Sequence, residues 1–151
     1  MISMSRAKKV AMAAAAMFLG LQAIPVDRGN PPVNSSRTIF ASEALPAKVE
    51  MVLRRSCQDC HSNQTRWPWY SYVAPMSWIV AHDVHAARRQ MNFSEWAGYS
   101  DKKREERLDG ICEQVVNGDM PEGKYALVRR GARVTEDERA AICQWVERSR
   151  Q

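Results

Sequence analysis

The residues with the clearest chemistry are Cys57-Gln58-Asp59-Cys60-His61. Two thiols two residues apart lie on one side of a single turn, and an imidazole follows at once. Covalent attachment of a c-type haem needs this spacing. Each sulfur adds to one porphyrin vinyl group, and the adjacent His61 reaches the iron as proximal ligand. Two other chemistries use paired cysteines. A redox dithiol normally follows a strand in a βαβ unit, and no such unit is legible. A structural zinc site needs a second ligand pair at matching spacing. Cys112 and Cys143 stand far apart, and His82 and His85 are three apart on one expected helix.

A sixth iron ligand has several candidates. Met120 stands in Asp119-Met120-Pro121, a proline-bordered loop just past the end of an expected helix. Thioether plus imidazole ligation raises a haem's reduction potential, and Met120 is the leading candidate; a methionine packed in a loop core is the alternative. His82, His85 and Met76 are rivals. Trp78, His82 and His85 follow an i, i+4, i+7 pattern and share a helix face. Around the haem motif, Trp67-Pro68-Trp69-Tyr70-Ser71-Tyr72 places four aromatics in six residues. Such a run exposes a large apolar patch unless it covers something, and a haem face or edge is the expected partner. Trp67, Trp69, Tyr70 and Trp78 are therefore cofactor-binding candidates, since indole N–H and phenol O–H groups seek acceptors when buried. Arg66 could pair with a propionate.

These residues need elements to hold them. Pro46 suits a helix start, and Val49, Val52, Leu53 and Cys57 form one apolar stripe, so a helix over 46–58 is expected to deliver the cysteines. A second helix is expected from Pro75 to about Gln90. Ser94 is expected to cap a short turn carrying Trp96. A third helix, 102–117, carries Leu108, Ile111, Cys112 and Val115, and Gly118 is its expected left-handed stop. Thr135-x-x-Glu138 is a capping box opening a last helix with Ala141, Ile142, Trp145 and Val146 on one face, ending near Ser149. Cys112 and Cys143 are either a disulfide between these last two helices or two separate buried thiols.

The N-terminus reads as an address. Arg6, Lys8 and Lys9 precede the apolar run Val10–Val26, whose 17 residues lie between a secretory h-region and a short membrane span. Residues 1–26 are thus a signal peptide or a membrane anchor with its positive end cytoplasmic. Residues 27–45, rich in Gly, Asn, Pro and Ser, read as a linker. Residues 46–151 form the functional domain. The expected location is periplasmic, anchored to the inner membrane by residues 10–26 if that run is retained. A chain of 151 residues with a net charge of +5 invites a nucleic-acid reading. However, Arg6, Lys8 and Lys9 carry three of those charges, and the remaining basic residues are interleaved with acids as on a solvated surface. No nucleic-acid partner is expected.

Taken together, several stretches carry a resemblance: Cys57-x-x-Cys60-His61-Ser62-Asn63-x-Thr65, Trp67-Pro68-Trp69-Tyr70-Ser71, Ala74-Pro75-x-Ser77-Trp78, Asn92-Phe93-Ser94-x-Trp96, Gly118-x-Met120-Pro121 and Tyr125. From about Pro25 to Trp145 the chain resembles the bacterial haem-binding domain family related to cytochrome c. The resemblance implies a periplasmic, often membrane-tethered, c-type haem protein, with attachment at Cys57 and Cys60, His61 as proximal ligand and Met120 as its partner. This sequence departs from the family picture at Arg130, where a histidine is expected, and the resemblance does not imply a Cys112–Cys143 bond. The expected fold is all-α: a small cytochrome c-like helical domain wrapped around one covalent haem, preceded by a signal or anchor helix. The expected function is one-electron transfer between redox partner proteins, with His61 and Met120 on the iron. The alternative is a haem peroxidase or ligand sensor with an open distal site, His82 or His85 acting as acid or base and Arg66 or Arg88 stabilising charge.

Overall fold

A computed structural model describes residues 5–150. Among them are seven α-helices and no strand, so the fold is all-α. The helices are α1 (Arg6–Gln22), α2 (Ile39–Ser42), α3 (Ala47–Val52), α4 (Met76–Gln90), α5 (Asp101–Asn117), α6 (Gly123–Val128) and α7 (Glu136–Arg148). They divide between two compact units. The smaller holds the chain up to Gly29 together with Trp67–Asp83, and the larger holds Asn30–Arg66 with Val84–Gln151.

In the smaller unit, α1 is capped by Ser5 and buries none of its residues. It begins inside the basic segment and ends at Gln22, before Pro25. Val10, Met17 and Leu19 are among its bare apolar side chains. Among the described residues no helix is long and apolar enough to cross a membrane. The end of α1 is tied to the aromatic run. Gln22 Oε1 accepts the Ala74 N–H at 2.8 Å, Arg28 donates to the Ser71 carbonyl at 3.2 Å, and the Arg28 guanidinium lies 4.5 Å from the centre of the Tyr72 ring.

The larger unit contains the core. Ile39, Val49, Val52, Leu53, Phe93, Trp96, Leu108, Ile111, Val115, Ile142, Trp145 and Val146 are buried together. The stripes of α5 and α7 pack on each other, and α3 packs on α7, as apolar residues at helical spacing require. Cys112 and Cys143 are disulfide-bonded with their Cα atoms 4.9 Å apart. The end signals work as read. Gly118 takes φ +78° after α5, and Thr135 and Glu138 exchange side-chain and backbone bonds at the start of α7.

Four local expectations are corrected. Residues 35–45 are not merely extended linker: a 3-10 turn over Ser35–Arg37 leads into α2, and Ile39 is fully buried. The apolar residues Ile39, Phe40 and Leu45, scattered among turn formers, are what fold this stretch onto the core. Pro46 caps α3 rather than lying inside it, and α3 stops at Val52. The next turn, Leu53–Cys57, is π-helical, with the Gln58 N–H reaching the Leu53 carbonyl at 2.9 Å. Finally, Asn92, not Ser94, caps the 3-10 turn Phe93–Gly98: its Oδ1 accepts the Ser94 N–H at 3.0 Å. The longer Asn side chain reaches the amide two residues on, as in an Asx turn.

Candidate functional site

The π-helical turn widens the helix by one residue just before Cys57, a distortion that often marks functional sites. The chain then reverses tightly, with the N–H groups of Cys60 and His61 both directed at the Cys57 carbonyl, at 3.2 and 3.0 Å. Cys57, Cys60 and His61 thus share one turn. Cys112 and Cys143 are bonded to each other, so neither is paired with Cys57 or Cys60. Burial pushes the Cys57 thiol up to about 12, with the neighbouring Cys60 adding to the effect and Arg55 opposing it. A redox dithiol needs the opposite, a thiol acidified by its surroundings. Among the described residues no three His, Cys, Asp or Glu side chains converge to hold a metal ion, so the zinc reading has no second ligand pair.

His61 is gripped by the C-terminal end of α4. Its Nδ1 lies 3.1 Å from the Met91 carbonyl, which puts the ring proton on Nδ1 and the lone pair on Nε2. Burial lowers the imidazole pKa, against the raising effects of the Met91 and Ala87 carbonyls and of the Glu122 carboxylate. The ring is therefore neutral near pH 7, as an iron ligand must be. Phe93 donates its N–H to the His61 carbonyl at 2.7 Å, and the two rings lie 6.0 Å apart.

The polar residues after His61 form a buried web. Thr65 Oγ1 donates to the Asp59 carbonyl at 2.7 Å, and Ser62 Oγ to the Gln58 carbonyl at 2.8 Å. Ser94 Oγ accepts the Asn63 N–H at 3.0 Å, while the Asn92 amide donates to Asn63 Oδ1 at 2.8 Å. Arg88 fastens the end of α4 to this web, donating to the Ser62 carbonyl and Thr65 Oγ1, each at 2.8 Å. Arg88 is thus a structural clasp.

Asp59, between the two cysteines, is buried and receives bonds from two directions. Arg66 donates through Nε at 3.1 Å, Tyr125 through its hydroxyl at 3.1 Å, and the Arg129 guanidinium contacts the same carboxylate. Arg66, which by sequence could pair with a propionate, donates to Asp59 here.

The remaining candidates fall as follows. Met120 is half-buried in the larger unit, on the loop between α5 and α6, where the N–H groups of Asp119 and Met120 both point to the Gln114 carbonyl at 3.0 and 3.1 Å. Trp67, Trp69, Tyr70 and Trp78 all belong to the smaller unit. Trp67 and Trp78 bury indole N–H groups that have no acceptor among the described residues, whereas Trp69 is 78% exposed. His82 is exposed and lies 3.5 Å from Asp83, and Met76 is also exposed. Sequence reading missed Asp59, Met91 and Arg129. Asp59 looked like filler inside a motif, Met91 contributes only its carbonyl, and Arg129 is one of many surface-type arginines.

An all-helical chain that holds two thiols and an oriented imidazole on a single turn has the donor set of a haem-binding protein. A sequence profile of the haem-binding domain family matches residues 16–148. The chain belongs to that family, and haem is its cofactor. No curated protein and no solved structure matches it.

Proposed function

We propose that this protein is a c-type cytochrome of the periplasm that carries single electrons between protein partners. The observation carrying this reading is that Cys57 and Cys60 share one turn with His61, whose ring is anchored through Nδ1, while Cys112 and Cys143 are bonded to each other. Haem, when bound, supplies an iron that alternates between ferric and ferrous states. The two thiols would each form a thioether to it, and His61 would bind the iron through Nε2. Met120 would be the sixth ligand, and a closed ligand set of this kind suits electron transfer rather than substrate turnover. No residue is then required as a catalytic acid or base.

Export fits the same reading. Attachment of haem c takes place outside the bacterial cytoplasm, and a disulfide is at home in an oxidising compartment. The basic Arg6, Lys8 and Lys9 followed by an apolar run fit the pattern of an export signal.

The test is to express the full chain in a host that exports and attaches haem c, then extract it with acidic acetone. The haem is expected to stay with the polypeptide, and its reduced pyridine complex to have the spectrum of a haem with two saturated side chains. Haem that extracts cleanly would refute covalent attachment. A high-spin spectrum that shifts on adding carbon monoxide would refute the closed ligand set and favour a sensor or peroxidase.

A further inference from the structure

The loop carrying Met120 is suspended between two anchors. At one end the Asp119 and Met120 N–H groups both reach the Gln114 carbonyl at the close of α5. At the other, α6 starts three residues after Met120 and is hydrogen-bonded without a break from Glu122 to Arg129: the Ala126 N–H donates to the Glu122 carbonyl at 3.0 Å and the Arg129 N–H to the Tyr125 carbonyl at 2.8 Å. Tyr125 lies within α6 and Arg129 is its C-cap residue, with Arg129 Nη1 3.3 Å from the Tyr125 hydroxyl. Both side chains end on the Asp59 carboxylate, which is only 7% exposed. Of the two anchors, only this second one reaches the Cys57–His61 turn.

We propose that Asp59 is a positioning residue: through Tyr125 and Arg129 it locks α6, and with it the Met120 loop, to the turn that carries the cysteines and His61. The inference rests on the reading of Met120 as sixth ligand. Chemistry favours a carboxylate in this role. An ionised carboxylate accepts several bonds at once, and charge-assisted bonds are about twice as strong as neutral ones. Two attachment points, Tyr125 within α6 and Arg129 at its C-cap, fix the helix's rotation as well as its distance, which one bond could not do. Arg66 also donates to Asp59, but it lies outside α6 and its side chain is 64% exposed. It shields the carboxylate without holding the loop.

The experiment uses the full-length haem-loaded protein and three variants: Asp59→Asn, Tyr125→Phe and Arg66→Gln. Two quantities are measured, amide hydrogen exchange over residues 119–125 and cyanide affinity of the ferric protein, which reports how easily Met120 gives way. Asp59→Asn and Tyr125→Phe are expected to speed exchange in that segment and to tighten cyanide binding about tenfold, the worth of one hydrogen bond to a charged group. Arg66→Gln should leave both near wild type. Should Asp59→Asn fail to accumulate, Tyr125→Phe, which removes a single oxygen, carries the same test. Unchanged exchange in Tyr125→Phe would overturn the proposal, as would an equal response from Arg66→Gln. A wild-type protein without the methionine-to-iron absorption band would overturn the Met120 assignment instead. The exchange result would then decide the clamp by itself.

Discussion

Glu138 lets one ion pair be tested through its pH dependence. It is the third residue of α7 and closes that helix's capping box, accepting the Thr135 N–H at 2.9 Å. The same carboxylate receives two parallel bonds from Arg55, both 2.9 Å, and so pins the π-helical turn before Cys57 onto α7. The Arg55 hydrogen bonds hold the Glu138 carboxyl down to about 2 from an ordinary 4.5, with burial opposing and Thr135 assisting. A depressed folded-state pKa contributes stability that is present above the unfolded value and lost as pH falls toward the folded one. If the whole shift were expressed, the linkage would be worth about 3 kcal/mol at pH 7 and about 1 kcal/mol at pH 3. Arg55 is 34% exposed, so solvent screens part of this, and about 2 kcal/mol at neutral pH is the expected size. Urea unfolding of the haem-loaded chain would compare wild type with Glu138→Gln at both pH values. The glutamine keeps an oxygen for the Thr135 N–H but has no charge to titrate. The variant should be less stable at pH 7, and the gap should shrink by roughly half or more at pH 3. An equal gap at both pH values would refute an ionic origin and leave only lost packing.

Other substitutions probe the ligand set and the frame. Met120→Ala is expected to abolish the long-wavelength methionine-to-iron band and let cyanide bind the ferric protein at least about tenfold more tightly; an unchanged spectrum would move the sixth ligand elsewhere. Replacing Cys112 and Cys143 together by serine opens a link between residues 31 apart and should cost about 3 to 4 kcal/mol on the chain-entropy account, read by urea unfolding. Gly118→Ala should cost about 1 kcal/mol in the same assay. A Cβ there meets nothing within 4 Å, so the cost would come from the positive φ alone.

What could be read in the sequence was whatever depends on local spacing. The capping box at Thr135, the left-handed stop at Gly118 and the apolar stripes of α5 and α7 each declare themselves within one or two turns, and each formed as read. The Cys57–His61 turn was legible for the same reason. The π-helical turn before it was not, because no local spacing marks it; Arg55, within that turn, is held by Glu138, which is 83 residues away in the chain. Ile39 looked like linker because its neighbours are turn formers, and only its burial against Phe93 and Trp96 reveals it as core. The roles of Asp59 and Met91 were hidden more deeply. An acid between two cysteines and a carbonyl at a helix end have no periodicity to give them away.

The web around the motif accounts for the many polar residues that surround Cys57, Cys60 and His61. The stretch from Gln58 to Arg66 has almost no regular structure of its own, so neither a helix ladder nor apolar packing can fix it. Its order must come from side chains that satisfy buried backbone groups. Ser62 and Thr65 cap carbonyls of the turn itself, Asn63 and Asn92 pair across it, and Ser94 receives an amide from the far side. Each of these groups is buried, so each missing partner would carry a desolvation penalty of about 1–3 kcal/mol. That penalty makes the arrangement close to all-or-none, since a half-satisfied buried network is worse than none. The turn that presents Cys57, Cys60 and His61 is therefore specified by the chain's own hydrogen bonds, and the orientation of the His61 ring follows from it: the Phe93 amide fixes the backbone, and the Met91 carbonyl fixes Nδ1. Residues other than the histidine itself thus decide that Nε2, and not Nδ1, carries the available lone pair of His61.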